Sequence, residues 1–291
     1  MIISVSRRTD IPAFYGKWFM KRVQAGYCLV RNPFNPKQVS RISLQKKDVD
    51  AFVFWTRNAR PFLKYLRLLE KEKYPFYFLY TVTGYSRDIE RHLPRLESRI
   101  LSFQRLSGIV GFKRMIWRYD PIIISREYSF DWHRKIFTRI AKQLSGHSQC
   151  VIISFVDYYR KTLRNLSEVD DSFIVHPENV PGFAQFMRDL ADIARQYHFE
   201  ITSCAEEITL QQFGISPGKC IDDRLLASVF DVEVSSKKDS RQRKYCNCVA
   251  SRDIGAYNSC PYGCLYCYAT DNPDRAKQFL RNHNPDLEWL V

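Results

Sequence analysis

Three cysteines lie within eight residues near the end of the chain, in the segment Cys260-Pro-Tyr-Gly-Cys264-Leu-Tyr-Cys267. Soft thiolate ligands select iron–sulfur clusters, zinc or Cu(I). Three closely spaced thiolates can hold three irons of a four-iron cluster and leave the fourth iron open to a small molecule. The spacing therefore predicts a [4Fe-4S] cluster with an open iron at these three cysteines.

Two other interpretations of this segment stay open. A closed structural zinc site takes four ligands, usually as two separated pairs, so zinc would need Cys246 or Cys248 as a further ligand. Alternatively, the three cysteines are simple buried residues. Gly263 beside Cys264 lets the backbone turn tightly around a cluster, which favours the iron–sulfur interpretation.

Four further cysteines could form a second metal centre: Cys204, Cys220, Cys246 and Cys248. Four thiolates are the usual ligand set of a closed iron–sulfur cluster. A structural zinc ion is the alternative. The remaining two cysteines, Cys28 and Cys150, lie inside apolar runs and are predicted to be core residues.

Composition and charge narrow the class of protein. The chain has 291 residues, of which 45% are hydrophobic, enough for a large core. Its formal net charge of +14 favours an anionic partner such as nucleic acid. The odd count of nine cysteines indicates a reducing compartment. With no signal peptide and no apolar run near the ~18 residues of a membrane span, we expect a cytoplasmic protein without a membrane partner.

Short apolar runs alternate with helical patterns along most of the chain. Strands are predicted at 2–6, 51–55, 76–81, 114–117, 150–155 and 200–203. Helices are predicted at 18–26, 59–73, 89–106, 131–144 and 181–197. This alternation is typical of βα units and a parallel sheet. The pattern alone does not separate an open doubly wound sheet from a partial barrel.

Polar residues follow every predicted strand, and in β/α barrels the loops after the strands form the active-site mouth. The sequence therefore predicts one site at a common rim. For each single residue, a helix cap or a rim salt bridge is the competing interpretation, and Asp10 before Ile11-Pro12 is a good cap candidate.

The cysteine segment, with Tyr266 before its third cysteine, matches the signature of the radical SAM superfamily. The whole chain resembles an uncharacterised family known as a domain of unknown function, related to spore photoproduct lyase and DNA-repair-photolyase-like enzymes. Besides the cysteine segment, the resemblance rests on residues 6–10, 54–58, 80–85, 118–121 and 204–206.

The resemblance implies a partial (βα)6-type TIM-like barrel. Because the motif usually lies near the N-terminus, its position here implies a circularly permuted barrel, with a strand at 253–257 and a helix at 273–282 around the cluster loop. The corresponding domain boundaries are 1–205 for the barrel body, 206–245 for a bridging segment, and 246–291 for the cluster-binding unit.

The resemblance also implies that a reduced cluster cleaves S-adenosylmethionine to a 5′-deoxyadenosyl radical, which abstracts hydrogen from a substrate. Flavodoxin or ferredoxin would supply the electron, and nucleic acid is a possible substrate. The cofactor-binding candidates, chosen for a carboxylate, ribose and adenine, are Arg57, Thr56, Arg118, Asp120 and Tyr266. The catalytic candidates are Cys204, Tyr85, Arg8 and Asp10, with Cys204 as a possible thiol hydrogen donor.

One departure from the superfamily concerns the amine of S-adenosylmethionine. The usual glycine-glycine-glutamate segment is not visible, and residues 7–10 would occupy its place. Two rival functions also remain: a non-catalytic, zinc-containing nucleic-acid-binding protein, which the basic charge supports, and an iron–sulfur electron carrier.

Overall fold

The computed structural model describes residues 1–169 and 172–290, which form a mixed α/β fold around a parallel sheet. The strands are β1 (Ile2–Val5), β2 (Tyr27–Asn32), β3 (Asn35–Ser43), β4 (Ala51–Thr56), β5 (Phe76–Thr81), β6 (Met115–Ile122), β7 (Cys150–Phe155), β8 (Glu200–Ser203), β9 (Ser216–Pro217) and β10 (Arg252–Asp253). Strands β2 and β3 make a separate antiparallel hairpin, and the other eight strands make the main sheet.

Nine α-helices flank the strands in the described chain. They are α1 (Ile11–Phe14), α2 (Gly16–Ala25), α3 (Leu63–Lys71), α4 (Leu96–Val110), α5 (Phe130–Leu144), α6 (Arg160–Ser167), α7 (Phe183–Gln196), α8 (Asp223–Phe230) and α9 (Pro273–Arg281). No helix of residues 1–169 or 172–290 is long and apolar enough to cross a membrane.

The order of strands in the main sheet is β10-β1-β4-β5-β6-β7-β8-β9, and every neighbouring pair is parallel. From β1 to β9 the strands follow one another along the sheet in chain order. The last strand, β10, returns to the other side of β1, with Ile3 opposite Arg252 and Ser4 opposite Asp253. A strand near residue 250 therefore pairs directly with the first strand of the chain.

Both faces of the sheet are buried, and side chains alternate between them. On one face the rings of Phe54 and Phe78 stack with centroids 4.8 Å apart, against helices. On the other face Val53 and Tyr77 pack against the segment 220–249, which contributes Ile221 to the same cluster. Burial on both faces explains why these strands read as continuous apolar runs instead of alternating ones.

The predicted α/β class with a mainly parallel sheet is confirmed, as are the strands at 76–81, 150–155 and 200–203. The helix predicted at 89–106 is wrong at its start. It begins at Leu96 because Pro94 lies just before its N-cap, and a residue before proline avoids helical backbone angles. The strand predicted at 253–257 spans only Arg252–Asp253. The hairpin β2–β3 and the helices α6 and α8 were not predicted from the sequence.

A buried histidine makes the stability of this fold depend on pH. The Nε2 of His133 lies 2.9 Å from the carbonyl of Ile123, to which it donates, so its Nδ1 accepts from the Tyr119 hydroxyl at 2.7 Å. His133 is fully buried, and burial lowers its pKa to about 4. The folded protein therefore holds a neutral imidazole between these two partners.

We expect the free energy of unfolding to fall by up to about 3 kcal/mol between about pH 6.5 and about pH 4 through this group. The sign follows because the unfolded chain takes up the proton first, below its ordinary pKa near 6.5. Urea unfolding of wild type, His133→Gln and the exposed control His176→Gln at several pH values measures it. An unchanged pH dependence in His133→Gln would contradict the assignment.

Candidate functional site

A cavity of about 410 Å³ lies at the carboxyl ends of the parallel strands. Its walls come from the ends of β4 to β7, from the segments that follow β1, β4, β7 and β8, and from the segments between β9 and β10 and between β10 and α9. Seven of the nine cysteines line it. They are the predicted first set, Cys260, Cys264 and Cys267, and the predicted second set, Cys204, Cys220, Cys246 and Cys248.

Backbone contacts hold the first cysteine set in place between β10 and α9. Leu265 N donates to the Ile89 carbonyl at 3.0 Å, and His92 N donates to the Tyr262 carbonyl at 3.0 Å. Gly263 has a φ of +67°, and a Cβ there would come within 3.2 Å of the His92 ring. The loop therefore turns at a position that favours glycine, with its thiols toward the cavity.

A buried carboxylate, Glu90, ties this loop to two arginines. Its Oε1 accepts from Arg57 Nη1 at 2.7 Å and from the Tyr266 hydroxyl at 2.5 Å, while Arg99 Nη1 lies 3.1 Å from Oε2. Burial alone would raise the pKa of Glu90, but Arg57 and Arg99 lower it below its usual value. The carboxylate is therefore charged and fixes the ring of Tyr266 beside the cysteines.

The five predicted cofactor-binding residues all line the cavity: Arg57, Thr56, Arg118, Asp120 and Tyr266. Several are already engaged with the protein. Arg57 is paired with Glu90, Arg118 forms an ion pair with Asp120, and the Thr56 hydroxyl accepts from Asn58 N at 3.0 Å. Arg118 keeps one donor free, since its Nε has no partner among the described residues.

Two of the predicted catalytic residues, Asp10 and Arg8, also line the cavity. Asp10 is the N-cap of α1, accepting from Ala13 N at 3.0 Å, and it also accepts from Arg57 N at 2.7 Å. Burial raises the pKa of Asp10 to about 7, although these hydrogen bonds act to lower it. The guanidinium of Arg8 lies 5.1 Å from the ring centroid of Tyr257 at the mouth. The competing interpretation of Asp10 as a cap therefore holds, although the residue is also part of the wall.

The structure does not bring Tyr85 to the cavity wall. Its ring stacks on Trp132 with centroids 5.5 Å apart. Its hydroxyl donates to the Pro121 carbonyl and accepts from Ile123 N, both at 2.8 Å. These contacts place Tyr85 in a hydrophobic cluster beside the cysteine loop. Cys204, in contrast, is buried in the wall.

The second cysteine set comes together from three separate segments. The sulfur atoms of Cys204 and Cys220 lie 3.3 Å apart, and Cys246 and Cys248 pack in the same buried cluster. As the side chains stand, no three or more His, Cys, Asp or Glu residues of the described ranges are arranged to hold a single metal ion. Cys28 and Cys150 lie outside the cavity lining: Cys28 is in the main core, as predicted, whereas Cys150 is only partly buried and packs against the second core cluster.

Some site residues were missed in the sequence. Asp253 accepts from the hydroxyls of Ser4 at 2.6 Å and Ser6 at 2.8 Å and from Arg7 N at 2.8 Å, which fixes the rim after β1. Glu90 was hidden inside a wrongly predicted helix. Neither residue carried a signal by itself, because both act through contacts between distant segments.

Four buried polar atoms in the cavity wall have no hydrogen-bond partner within the part of the chain that the structure describes. They are Arg7 Nη2, Thr9 Oγ1, Arg118 Nε and the hydroxyl of Tyr262. A buried polar group without a partner costs free energy, so such a group in a cavity wall is suited to meet a ligand.

Fold and cavity together define an α/β protein with a cysteine-lined site at the carboxyl edge of a parallel sheet. The chain belongs to the family described as "Domain of unknown function (DUF1848)", whose model matches residues 2–269. The match includes all seven cysteines of the cavity. None of the curated proteins matches this chain.

Proposed function

We propose that this protein is a radical SAM enzyme, with a [4Fe-4S] cluster at Cys260, Cys264 and Cys267 and S-adenosylmethionine beside it. The observation that carries the proposal is that three thiols of one short loop line a cavity large enough for a ligand. Its volume lies within the range of about 300–1,000 Å³ that is typical of small-molecule sites.

We further propose that the fold is a partial (βα)6-type barrel that is circularly permuted. Strands that follow one another in chain order along a parallel sheet have their crossover helices on one face, as in β/α barrels. The unit of β10, cysteine loop and α9 pairs in parallel with β1, so the last unit of the chain stands before the first.

The residues that line the cavity fit both the iron–sulfur cluster and S-adenosylmethionine. Three thiolates leave one iron open, and the partnerless donors of Arg7, Thr9, Arg118 and Tyr262 provide polar contacts in the same wall. When bound and reduced, the cluster supplies one electron that splits S-adenosylmethionine into methionine and a 5′-deoxyadenosyl radical. The three thiols need not be arranged around a single ion, because a four-iron cluster is larger than one ion and its ligands lie further apart.

The protein's own groups would bind and orient the ligand. The free Nε of Arg118 suits a carboxylate, since a guanidinium donates along several directions at once. Asp120 offers an acceptor for the hydroxyls of the ligand. Arg57 pairs with Glu90, which in turn accepts from Tyr266 in the cysteine loop. We therefore assign Arg57 the role of positioning this loop and not of contacting the ligand.

The mouth of the cavity suggests the class of substrate. Tyr159, Tyr257 and Tyr268 line it with exposed fractions of 48%, 38% and 49%, and Arg8 and Arg243 lie among them. Exposed aromatic rings beside guanidinium groups suit a planar, anionic substrate such as a nucleobase with its phosphate. The net charge of +14 favours the same class. Nucleic acid is therefore the proposed substrate class, and a cytoplasmic flavodoxin or ferredoxin the proposed reductant.

The test is formation of 5′-deoxyadenosine by the wild-type protein. Protein reconstituted anaerobically with iron and sulfide is incubated with S-adenosylmethionine, with and without dithionite, and products are measured by mass spectrometry. We expect 5′-deoxyadenosine and methionine in equal amounts, only with dithionite. Fully reconstituted protein that yields neither product would overturn the proposal, and colourless protein holding only zinc would favour the binding-protein alternative.

A further inference from the structure

The second cysteine set lies in the wall of the cavity but belongs to a different part of the fold. Cys204 follows β8, Cys220 lies just after β9, and Cys246 and Cys248 form a C-x-C pair before β10. All four are at most 6% exposed. The sulfurs of Cys204 and Cys220 lie 3.3 Å apart, and Cys246 and Cys248 belong to the same buried cluster.

Ordinary core packing does not explain the surroundings of these sulfurs. A buried thiol acts as a small hydrophobic group and needs no cation beside it. Here the guanidinium of Arg7 lies close enough to act electrostatically on Cys248, as Arg118 and Arg243 do on Cys204. Arg118 and Arg243 are also paired with Asp120 and Asp157.

Arg7 is the most informative of the three cations. Among the described residues, its guanidinium makes no ion pair within 4 Å, and its Nη2 has no hydrogen-bond partner. Its plane lies over Trp55, with 5.1 Å between the guanidinium carbon and the ring centroid. A buried guanidinium without a bonded carboxylate is costly unless negative charge lies nearby. The adjacent cysteine sulfurs, together with the carboxylate of Asp253, whose Oδ2 accepts from Arg7 N at 2.8 Å, are the groups placed to carry that charge.

The backbone supports the same interpretation. Ile221 N donates to the sulfur of Cys248 at 3.4 Å, in a segment that also fixes Cys220. The carbonyl of Cys220 accepts from the Tyr77 hydroxyl at 2.7 Å, and Asp222 N donates to that same hydroxyl at 3.1 Å. N–H donors to thiolate sulfur are a usual outer contact of metal–thiolate centres.

We infer that Cys204, Cys220, Cys246 and Cys248 are the ligands of a second metal centre, a tetrathiolate site for a thiophilic metal. Iron–sulfur clusters and Zn²⁺ share this ligand chemistry. Either centre carries net negative charge, which Arg7 balances. The sulfurs do not surround a single ion as they stand, so binding draws the three segments around the metal. The four thiols lose their protons on binding.

The centre has a structural consequence of its own. The segment 220–249 covers one face of the sheet through Ile221, Leu226 and Val249. In the proposed centre, the metal joins Cys220, Cys246 and Cys248 of this segment to Cys204 at the end of β8. The second centre therefore fastens this segment onto the sheet and closes one wall of the cavity, whether or not S-adenosylmethionine is cleaved.

Metal and sulfide content per chain tests the inference. Wild type, Cys246→Ser/Cys248→Ser, Cys260→Ala/Cys264→Ala and the control Cys28→Ala are reconstituted anaerobically, and iron, zinc and acid-labile sulfide are measured. We expect about eight irons, or about four irons and one zinc, in wild type and in the control. The first double variant should lose only the second centre, and the Cys260/Cys264 variant should retain it.

A second measurement does not depend on a variant that folds. As-isolated wild type is alkylated with iodoacetamide before and after metal removal by a chelator, and modified cysteines are located by mass spectrometry. We expect Cys204, Cys220, Cys246 and Cys248 to be protected before removal and modified afterwards. Wild type with about four irons and no zinc would overturn the inference, as would alkylation of these four thiols unchanged by metal removal.

Discussion

Cys264→Ala is expected to abolish 5′-deoxyadenosine formation, to the level measured without reductant. The reason is stoichiometric, because a loop that offers three thiolates has no spare ligand for a four-iron cluster. Cys264 is the central cysteine, and burial raises its pKa to about 12 while the nearby Arg57 opposes this rise. Metal must therefore displace its proton, and no other group of the loop replaces the thiolate.

The matched control for this prediction is Cys28→Ala, which also removes one thiol but from the main core, outside the cavity. We expect the control to keep its iron and its activity. Product and iron content are measured on the same preparations, with circular dichroism to verify folding. If folded Cys264→Ala formed 5′-deoxyadenosine at the wild-type rate, the cluster would not be held by this loop.

The sequence predicted the sheet strands best where both faces of a strand are buried. The run 76–81 is aromatic or aliphatic up to its last residue, Thr81, so its buried strand was visible from composition alone. The short strands β9 and β10 have two residues each and no such pattern. These two strands form because they pair with neighbouring strands, and such pairing cannot be seen in the local sequence pattern.

The cysteine ligand candidates were visible in the sequence because their chemistry depends on residue type and spacing. The residues that position them were not. Glu90 is found only when the loop at 264–266, the segment after β5 and the helix α4 come together. Asp253 likewise acts by bridging β10 to the segment after β1, almost 250 residues away along the chain. A tertiary network of this kind carries no local signature.

Glu90→Gln is expected to destabilise the fold by about 3–5 kcal/mol, the usual cost of breaking a buried ion pair from one side. The substitution keeps the shape of the side chain but leaves Arg57 and Arg99 without their charge partner. Arg99 and Glu90 are almost fully buried, with side-chain exposures of 3% and 2%, so water does not replace the lost carboxylate.

The control for Glu90→Gln is Glu97→Gln, since Glu97 also pairs with an arginine, Arg139, but both side chains are more than half exposed. An exposed pair contributes less than about 1 kcal/mol. Urea unfolding at pH 7 measures both variants. Equal, small losses in the two would show that the buried network does not support the fold.

The pH dependence gives Glu90 a second signature. The pKa of Glu90 is lowered in the folded protein. Its contribution to the free energy of unfolding is therefore complete above the unfolded pKa of about 4.3, and it is lost as the pH falls through the lower pKa of the folded protein. The difference in unfolding free energy between wild type and Glu90→Gln should therefore shrink below about pH 4. Because the same carboxylate accepts from Tyr266, the variant should also loosen the cysteine loop and lower its iron content, which Glu97→Gln should leave unchanged.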